Sequence, residues 1–198
     1  MRVVSGKCKG HPLKAVPGNT TRPTTDKVKE SIFNMIGPYF DGGIALDLFG
    51  GSGGLGIEAL SRGIDKAIFV DRDSKAIKVI HQNLESCRIQ EQAEVYRNDA
   101  ERAVKALIKR EMSFDLILID PPYKEQKIVS LISVMDQHGL LHSDGLIMAE
   151  HGNDVVLPNS IGRLVKVRAE NYGITAISIY KYEGEGQNDK YSYFFRKF

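Results

Sequence analysis

Between Ile44 and Gly56 the chain passes from a short apolar stretch, Ile44-Ala45-Leu46-Asp47-Leu48, into Phe49-Gly50-Gly51-Ser52-Gly53-Gly54-Leu55-Gly56. Few folds can use such a passage. A buried strand that ends in glycines and turns at once into a helix is the opening of an α/β unit, in which the backbone bends tightly and a ligand can approach it closely. Gly51 to Gly56 satisfies G-x-G-x-x-G, a spacing shared by several classes of adenosine-binding proteins and weak on its own.

The rest of the chain repeats that alternation. Ala67 to Val70 forms a second strand ending at Asp71, and Ser74 can cap a helix whose Ile77, Ile80, Leu84 and Cys87 fall on one face. Ala93 to Tyr96 is a third strand, Ala100 to Arg110 a helix, Phe114 to Ile119 a fourth strand, Glu125 to Met135 a helix and Gly145 to Glu150 a fifth strand. Arg163 to Ala169 and Ile174 to Tyr182 are joined by too short a link to be anything but antiparallel. Ahead of all this, Arg2 to Ser5 and Leu13 to Val16 flank a Gly- and Pro-containing stretch and read as a hairpin. Thr24, Thr25 or Asp26 can then cap a helix with Val28, Ile32 and Met35 inward. The expected fold is α/β: a doubly wound, seven-stranded, mostly parallel sheet with an antiparallel C-terminal edge hairpin and an N-terminal β-hairpin extension. The expected division is a basic hairpin and turn over 1–23, one main domain over 24–182, and a polar linker with an aromatic tail over 183–198.

Composition narrows the function classes. A chain of 198 residues with 42% hydrophobic and 26% charged side chains is ordinary for a soluble domain. No apolar run approaches a membrane span, and the N-terminus has no long apolar leader, so a cytoplasmic location is expected. Cys8 and Cys87 lack metal-ligand spacing and are expected to be free thiols. His138 and His142 sit among Gly139 and Ser143-Asp144-Gly145 and read as loop residues, so no metal is expected. The net charge of +2 is unevenly spread: residues 1–30 carry seven basic and two acidic side chains, leaving 20 basic and 23 acidic in the other 168. Arg2, Lys7, Lys9, Lys14 and Arg22 thus form a basic edge suited to a polyanion such as RNA.

Two constellations carry chemistry. Asp71, twenty residues after Gly51, can accept both hydrogen bonds of a ribose diol, and Asp99 at the end of the third strand can read an adenine amine or cap the next helix. Asp47 just before the glycines favours a cationic ligand over a pyrophosphate. Asp47, Phe49, Gly51, Ser52, Gly53, Asp71, Arg72, Asp99 and Ala100 are the expected cofactor residues. Asp120-Pro121-Pro122-Tyr123 follows the fourth strand. Two prolines cannot extend the ladder and hold their carbonyls rigidly. A carboxylate beside a fixed carbonyl can accept both hydrogens of a planar amine, and Tyr123 offers a face on which a base can stack. Since ligands in open parallel sheets bind at the carboxyl ends of strands, both constellations should face one crevice.

With these residues the chain resembles the RsmD family of class I, Rossmann-like methyltransferases. Arg2-Val3-Val4-Ser5-Gly6, Arg22-Pro23-Thr24-Thr25-Asp26-Lys27-Val28-Lys29-Glu30, Asp47 to Gly53 and Asp120 to Tyr123 carry the resemblance over about residues 1–182. It implies S-adenosylmethionine as cofactor, 16S ribosomal RNA or the small-subunit particle as partner, and N2 of a guanine as target. It further implies Gly51, Ser52, Gly53, Asp71 and Asp99 on the cofactor and Asp120, Pro121, Pro122 and Tyr123 on the guanine. It also suggests that Arg22, Thr24 and Thr25 lie over the cofactor pocket. The family pattern has Ala where this chain has Gly50, and the tail after Glu183 lies outside it. The competing expectations are a DNA amino-methyltransferase, an NAD-linked oxidoreductase and a non-catalytic nucleic-acid-binding module.

Overall fold

The computed structural model describes residues 1–18, 25–122 and 127–183. Its strands are β1 (Ile44–Asp47), β2 (Lys66–Asp71), β3 (Ala93–Arg97), β4 (Phe114–Ile119), β5 (Leu141–Gly152), β6 (Ser160–Ile161), β7 (Leu164–Tyr172) and β8 (Thr175–Tyr182). Its helices are α1 (Asp26–Ile36), α2 (Gly54–Ser61), α3 (Ser74–Ser86), α4 (Ala100–Lys109) and α5 (Ile128–Gln137).

All eight strands form one sheet in the order β3-β2-β1-β4-β5-β8-β7-β6. The first five are mutually parallel, while β8, β7 and β6 run antiparallel to their neighbours. The one strand beyond the seven expected is the two-residue β6 at the edge. β5 begins at Leu141 rather than Gly145, because Leu141 pairs with Phe114 before a register shift. His142 therefore lies in a strand, not a loop.

The period-2 alternation of the strands sorts the core into two layers. Ala45, Ala67, Phe69, Leu116, Leu118, Leu146 and Met148 face α1, α2, α3 and the N-terminal segment. Leu46, Ile68, Val70, Ile117, Ile119, Ile147 and Ala149 face α4 and α5. Helices on both faces explain why Ile44 to Leu46 of β1 and Leu116 to Ile119 of β4 are continuous apolar runs.

Residues 1–18 fold back through a single antiparallel bridge, Arg2 to Pro12, and Val3, Cys8 and Leu13 join the first core layer. The ladder goes no further because the next backbone donors are claimed elsewhere. Val4 and Ser5 N–H donate to the two carboxylate oxygens of Glu58 in α2, at 2.8 and 2.9 Å. Glu58 is fully buried, as are its cationic partners, Lys29 at 3.3 Å and Arg62 at 2.7 Å. Lys29 Nζ also donates to the Arg2 carbonyl at 2.5 Å, and Arg62 lies over the Phe33 ring and donates to the Pro38 carbonyl. Burial lowers the Lys29 pKa, a tendency that Glu58 opposes. One carboxylate thus fastens the N-terminal segment and α1 onto α2.

Capping differs in one place from expectation. Thr25 caps α1, but Asp73 rather than Ser74 caps α3, accepting from Lys75 N–H at 2.8 Å. Cys87 ends α3 buried beside Cys8, whose thiol donates to the Cys87 carbonyl at 3.8 Å, and both thiols are free.

Glu58→Gln should leave the Lys29 and Arg62 charges uncompensated in the core and destabilise the fold by roughly 3–5 kcal/mol. Urea unfolding checks this, and a loss below 1 kcal/mol would show that the triad is not a fastener.

Candidate active site

The first five strands end at one edge of the sheet. β1 and β4 are direct neighbours, with Asp47 level with Leu118. The glycine turn after β1 and Asp120-Pro121-Pro122 after β4 therefore open onto the same edge. Between them the chain spans about seventy residues of sequence, and the strand order removes that separation.

The glycine turn is held from three sides. Gly50 N–H donates to Val70 O at 2.8 Å, Gly53 N–H to Gly50 O at 2.6 Å, and Gly51 N–H to Asp71 Oδ2 at 2.8 Å. Gly51 and Gly53 have φ of +53° and +79°, which side-chain-bearing residues rarely adopt. A Cβ at Gly51 would meet nothing closer than Phe49 O at 4.0 Å, so open space lies above this glycine. At Gly50, whose φ is unexceptional, a Cβ would approach only the terminal methyl of Ile80 at 2.9 Å and Val70 O at 3.5 Å. The Ala of the resembled pattern would thus need only that flexible methyl to move. Gly56 is different: a Cβ there would lie 2.3 Å from the Phe69 ring, so α2 can rest on β2 only with glycine at that position.

Asp47 is 1% exposed and accepts from Gly56 N–H at 2.9 Å, joining the tip of β1 to the first turn of α2. Burial drives its carboxyl up to about 7; the Gly56 bond works against this and the charge of Asp71 adds to it. Asp71 is half-buried at the tip of β2, with its other oxygen accepting from Asp73 N–H. Arg72 beside it is exposed, and Asn98 N–H donates to Asp71 O, so the ends of β2 and β3 are tied together. Asp99 caps α4, accepting from Glu101 N–H at 3.0 Å, and Ala100 is the first residue of that helix. Phe49 and Ser52 are half-buried at the turn, and Asn83 of α3 supports it by donating to Ser52 O at 2.8 Å.

Asp120 is half-buried, Pro121 buried and Pro122 exposed. Burial, then the negative charges of Glu150 and Asp47, raise the Asp120 carboxyl well above the usual carboxylate range. Tyr123, Arg22 and Thr24 lie outside the described residues, as does the tail from 184 onward.

The basic residues are not all gathered at this edge. Arg2 pairs with Asp26 at the head of α1, and Lys14 sits beside Gln82 and Asn83 of α3. Lys7 lies at the opposite end of the sheet, its backbone bonded to Ser61 at the end of α2 and its Nζ to Gln92 ahead of β3. Lys9 is exposed in the same turn. Among the described residues no group of three or more His, Cys, Asp and Glu side chains could hold a metal ion, and no helix is long and apolar enough to cross a membrane.

Sequence reasoning overlooked Glu150 and Asn83. Glu150 ends an apolar run, the same signal that singled out Asp47, Asp71 and Asp120. Asn83 has no local signal, since its partners Lys14 and Ser52 are distant in sequence.

Comparison with known proteins gives the same picture. The family model described as conserved hypothetical protein 95 matches residues 1–181. A Bacillus subtilis protein provisionally named the rRNA methyltransferase YlbH is 60% identical over 93% of this chain and 100% of its own length. Ribosomal RNA small subunit methyltransferase D of Escherichia coli is 28% identical over 96% of this chain and 93% of its own. The solved structure of the Escherichia coli protein yhhF, provisionally described as a methyltransferase, superposes with a TM-score of 0.78 at 29% identity, covering 93% of this chain and 99% of that one.

Stability should report on Asp47. The folded protein holds its proton more tightly than the unfolded chain, so stability falls as pH rises from 3.8 through about 7. Asp47→Asn keeps an oxygen for Gly56 and should abolish that fall. In urea titrations of ligand-free protein the variant should gain on the wild type across this window, by on the order of 3 kcal/mol, and the gap should level off above it. Parallel pH curves would show that Asp47 is not held neutral.

Proposed function

Because the chain belongs to the RsmD family of class I methyltransferases, we propose that it transfers a methyl group from S-adenosylmethionine to the exocyclic N2 amine of a guanine in small-subunit ribosomal RNA. The observation that carries this reading is the shared address of the glycine turn and the Asp-Pro-Pro elbow at neighbouring strand tips.

The residues fit this methyl donor on two structural grounds. Open space above Gly51 admits a ligand against the backbone. The acids at the surrounding tips, Asp47, Asp71 and Asp99, suit hydroxyl, amine and cationic groups and would repel phosphates. Asp71 would hold the ribose, with oxygens able to accept beyond their bonds to Gly51 and Asp73, and Asp99 would read the adenine. Gly51, Ser52 and Gly53 would line the turn with Phe49, Arg72 and Ala100 at its margins.

S-adenosylmethionine supplies an electrophilic methyl group on a positive sulfur. The chain mainly contributes alignment, a factor that can reach ~7–11 kcal/mol in favourable cases. Asp120 and the carbonyl of Pro121 would accept the two amine hydrogens, and Tyr123 would stack on the base. With both hydrogens held, the nitrogen lone pair is aimed away from the elbow. After transfer the nitrogen carries a surplus proton that Asp120 or water can take, so a strong base is unnecessary.

Incubation of small-subunit RNA or particles with radiolabelled S-adenosylmethionine, followed by mass mapping, should locate the label on guanine N2. Asp120→Asn keeps an acceptor and should retain measurable activity, while Asp120→Ala should lose nearly all. Equal failure of both would show that accepting the amine hydrogens does not sustain transfer and that water cannot replace Asp120 in taking the proton.

We further propose that Arg2, Lys7, Lys9 and Lys14 form a phosphate track leading from the site edge towards the opposite end of the sheet, and that Arg22 also contributes to RNA binding. Replacing Lys7, Lys9 and Lys14 with Gln should weaken RNA binding and reduce its log–log salt slope by about two to three. Cofactor affinity should not change; its loss would make the segment part of the pocket instead.

A further inference from the structure

Glu150 stands beside Asp120. The register of the parallel pair matches Ile119 with Ala149, so Asp120, the first residue past β4, comes level with Glu150, two residues before the end of β5. Strand parity fixes the face. Asp120 and Glu150 alternate in step with Leu118 and Met148, and Asp47 in step with Ala45, all of which face the α1–α3 layer. Three carboxyl groups thus share one face of the sheet on three adjacent strands, at the end of β1, just past β4 and near the end of β5. Water is scarce there, with Asp47 1% and Glu150 6% exposed. In such surroundings neighbouring like charges interact strongly.

We propose that Glu150 is a positioning residue for the methyl-acceptor site, setting the charge state of Asp120 so that Asp120 takes the proton shed by the methylated nitrogen. This rests on the methyl-transfer reading above. In the reaction the nitrogen lone pair forms the N–C bond while the C–S bond breaks and leaves its electron pair on sulfur. The N–H bond then breaks, its pair returns to nitrogen, and the proton passes to an Asp120 oxygen.

An isolated carboxylate holds a proton too weakly at neutral pH to be a good recipient. Burial changes this first, and after it the negative charges of Glu150 from β5 and Asp47 from β1, with burial and then Asp71 of β2 acting in turn on Asp47. In sequence, Tyr123, Lys124 and Glu125 follow the elbow, outside the described residues. Asp120 must be ionised to accept the amine hydrogens, so the rate falls at low pH as Asp120 takes up its proton. Removing the Glu150 charge lowers the proton affinity of Asp120 and moves that fall to lower pH.

Two measurements test this. The first needs neither cofactor nor RNA: a pH titration by NMR of protein labelled with 13C at aspartate carboxyls, with Asp120 assigned by its absence in Asp120→Asn. The Asp120 midpoint should drop by about one pH unit in Glu150→Gln and return towards the wild-type value in Glu150→Asp. An unchanged or raised midpoint in Glu150→Gln overturns the proposal. The second is the pH profile of single-turnover methyl transfer, whose acid limb should move down by the same amount in Glu150→Gln and recover in Glu150→Asp. A stationary limb in an active Glu150→Gln enzyme overturns the proposal while leaving methyl transfer intact. A wild type that transfers no methyl overturns the functional reading and, with it, the proposed route of the proton.

Discussion

Glu58 is the point on which the arrangement of this protein turns. A fully buried carboxylate is tolerable only when its charge and lone pairs are answered, and here Lys29, Arg62 and two backbone N–H groups do so. Each answering group belongs to a different piece of chain or a different turn of helix. The requirement therefore fixes where the N-terminal segment and α1 lie on α2. The same helix begins at the glycine turn, and its first turn is bonded to Asp47. The electrostatics beneath the helix and the ligand site at its head are parts of one rigid unit. Met1 packs near Ser52 and Gly54 as a result, bringing the start of the chain to the rim of the cofactor turn.

The site itself is governed by the parallel sheet. Strands that run the same way deliver their ends to one edge, and in this chain acids stand at or near those ends: Asp47, Asp71, Asp120 and Glu150. Burial first, and then the neighbouring negative charge, raises the carboxyls of Asp47 and Asp120. A ligand that brings positive charge and hydrogen-bond donors relieves this, whereas a phosphate worsens it. The proposed choice of a sulfonium over a dinucleotide rests on this balance, not on the glycines.

Much of the architecture was legible because its signals are local. β4 carries the four-residue apolar run Leu116 to Ile119, one residue before two prolines, and its observed bounds are those expected. The turn glycines and the acids at strand ends likewise announce themselves by position. What sequence could not supply was the pairing of distant charges. The stripe Val28, Ile32 and Met35 suggested one inward face for α1. Ile32 and Met35 are buried and Val28 is half-buried against the same core, but the buried face is wider than that stripe and also takes in Lys29, Phe33 and Ile36, the lysine because Glu58 answers its charge. The N-terminal segment shows the same limit, since the pull of Glu58 on Val4 and Ser5 is invisible until α2 is beside it.

The strand order also bears on how the chain comes to be folded. β1 sits between β2 and β4, yet β4 lies some seventy residues downstream of β1. During synthesis from the ribosome, one flank of this apolar strand stays unpaired until β4 has emerged. Non-local closure of this kind slows folding and leaves a sticky ribbon exposed in the meantime. The nascent chain thus passes through a window of aggregation risk that ends only when β4 slots in, the same event that brings the glycine turn and the Asp-Pro-Pro elbow together.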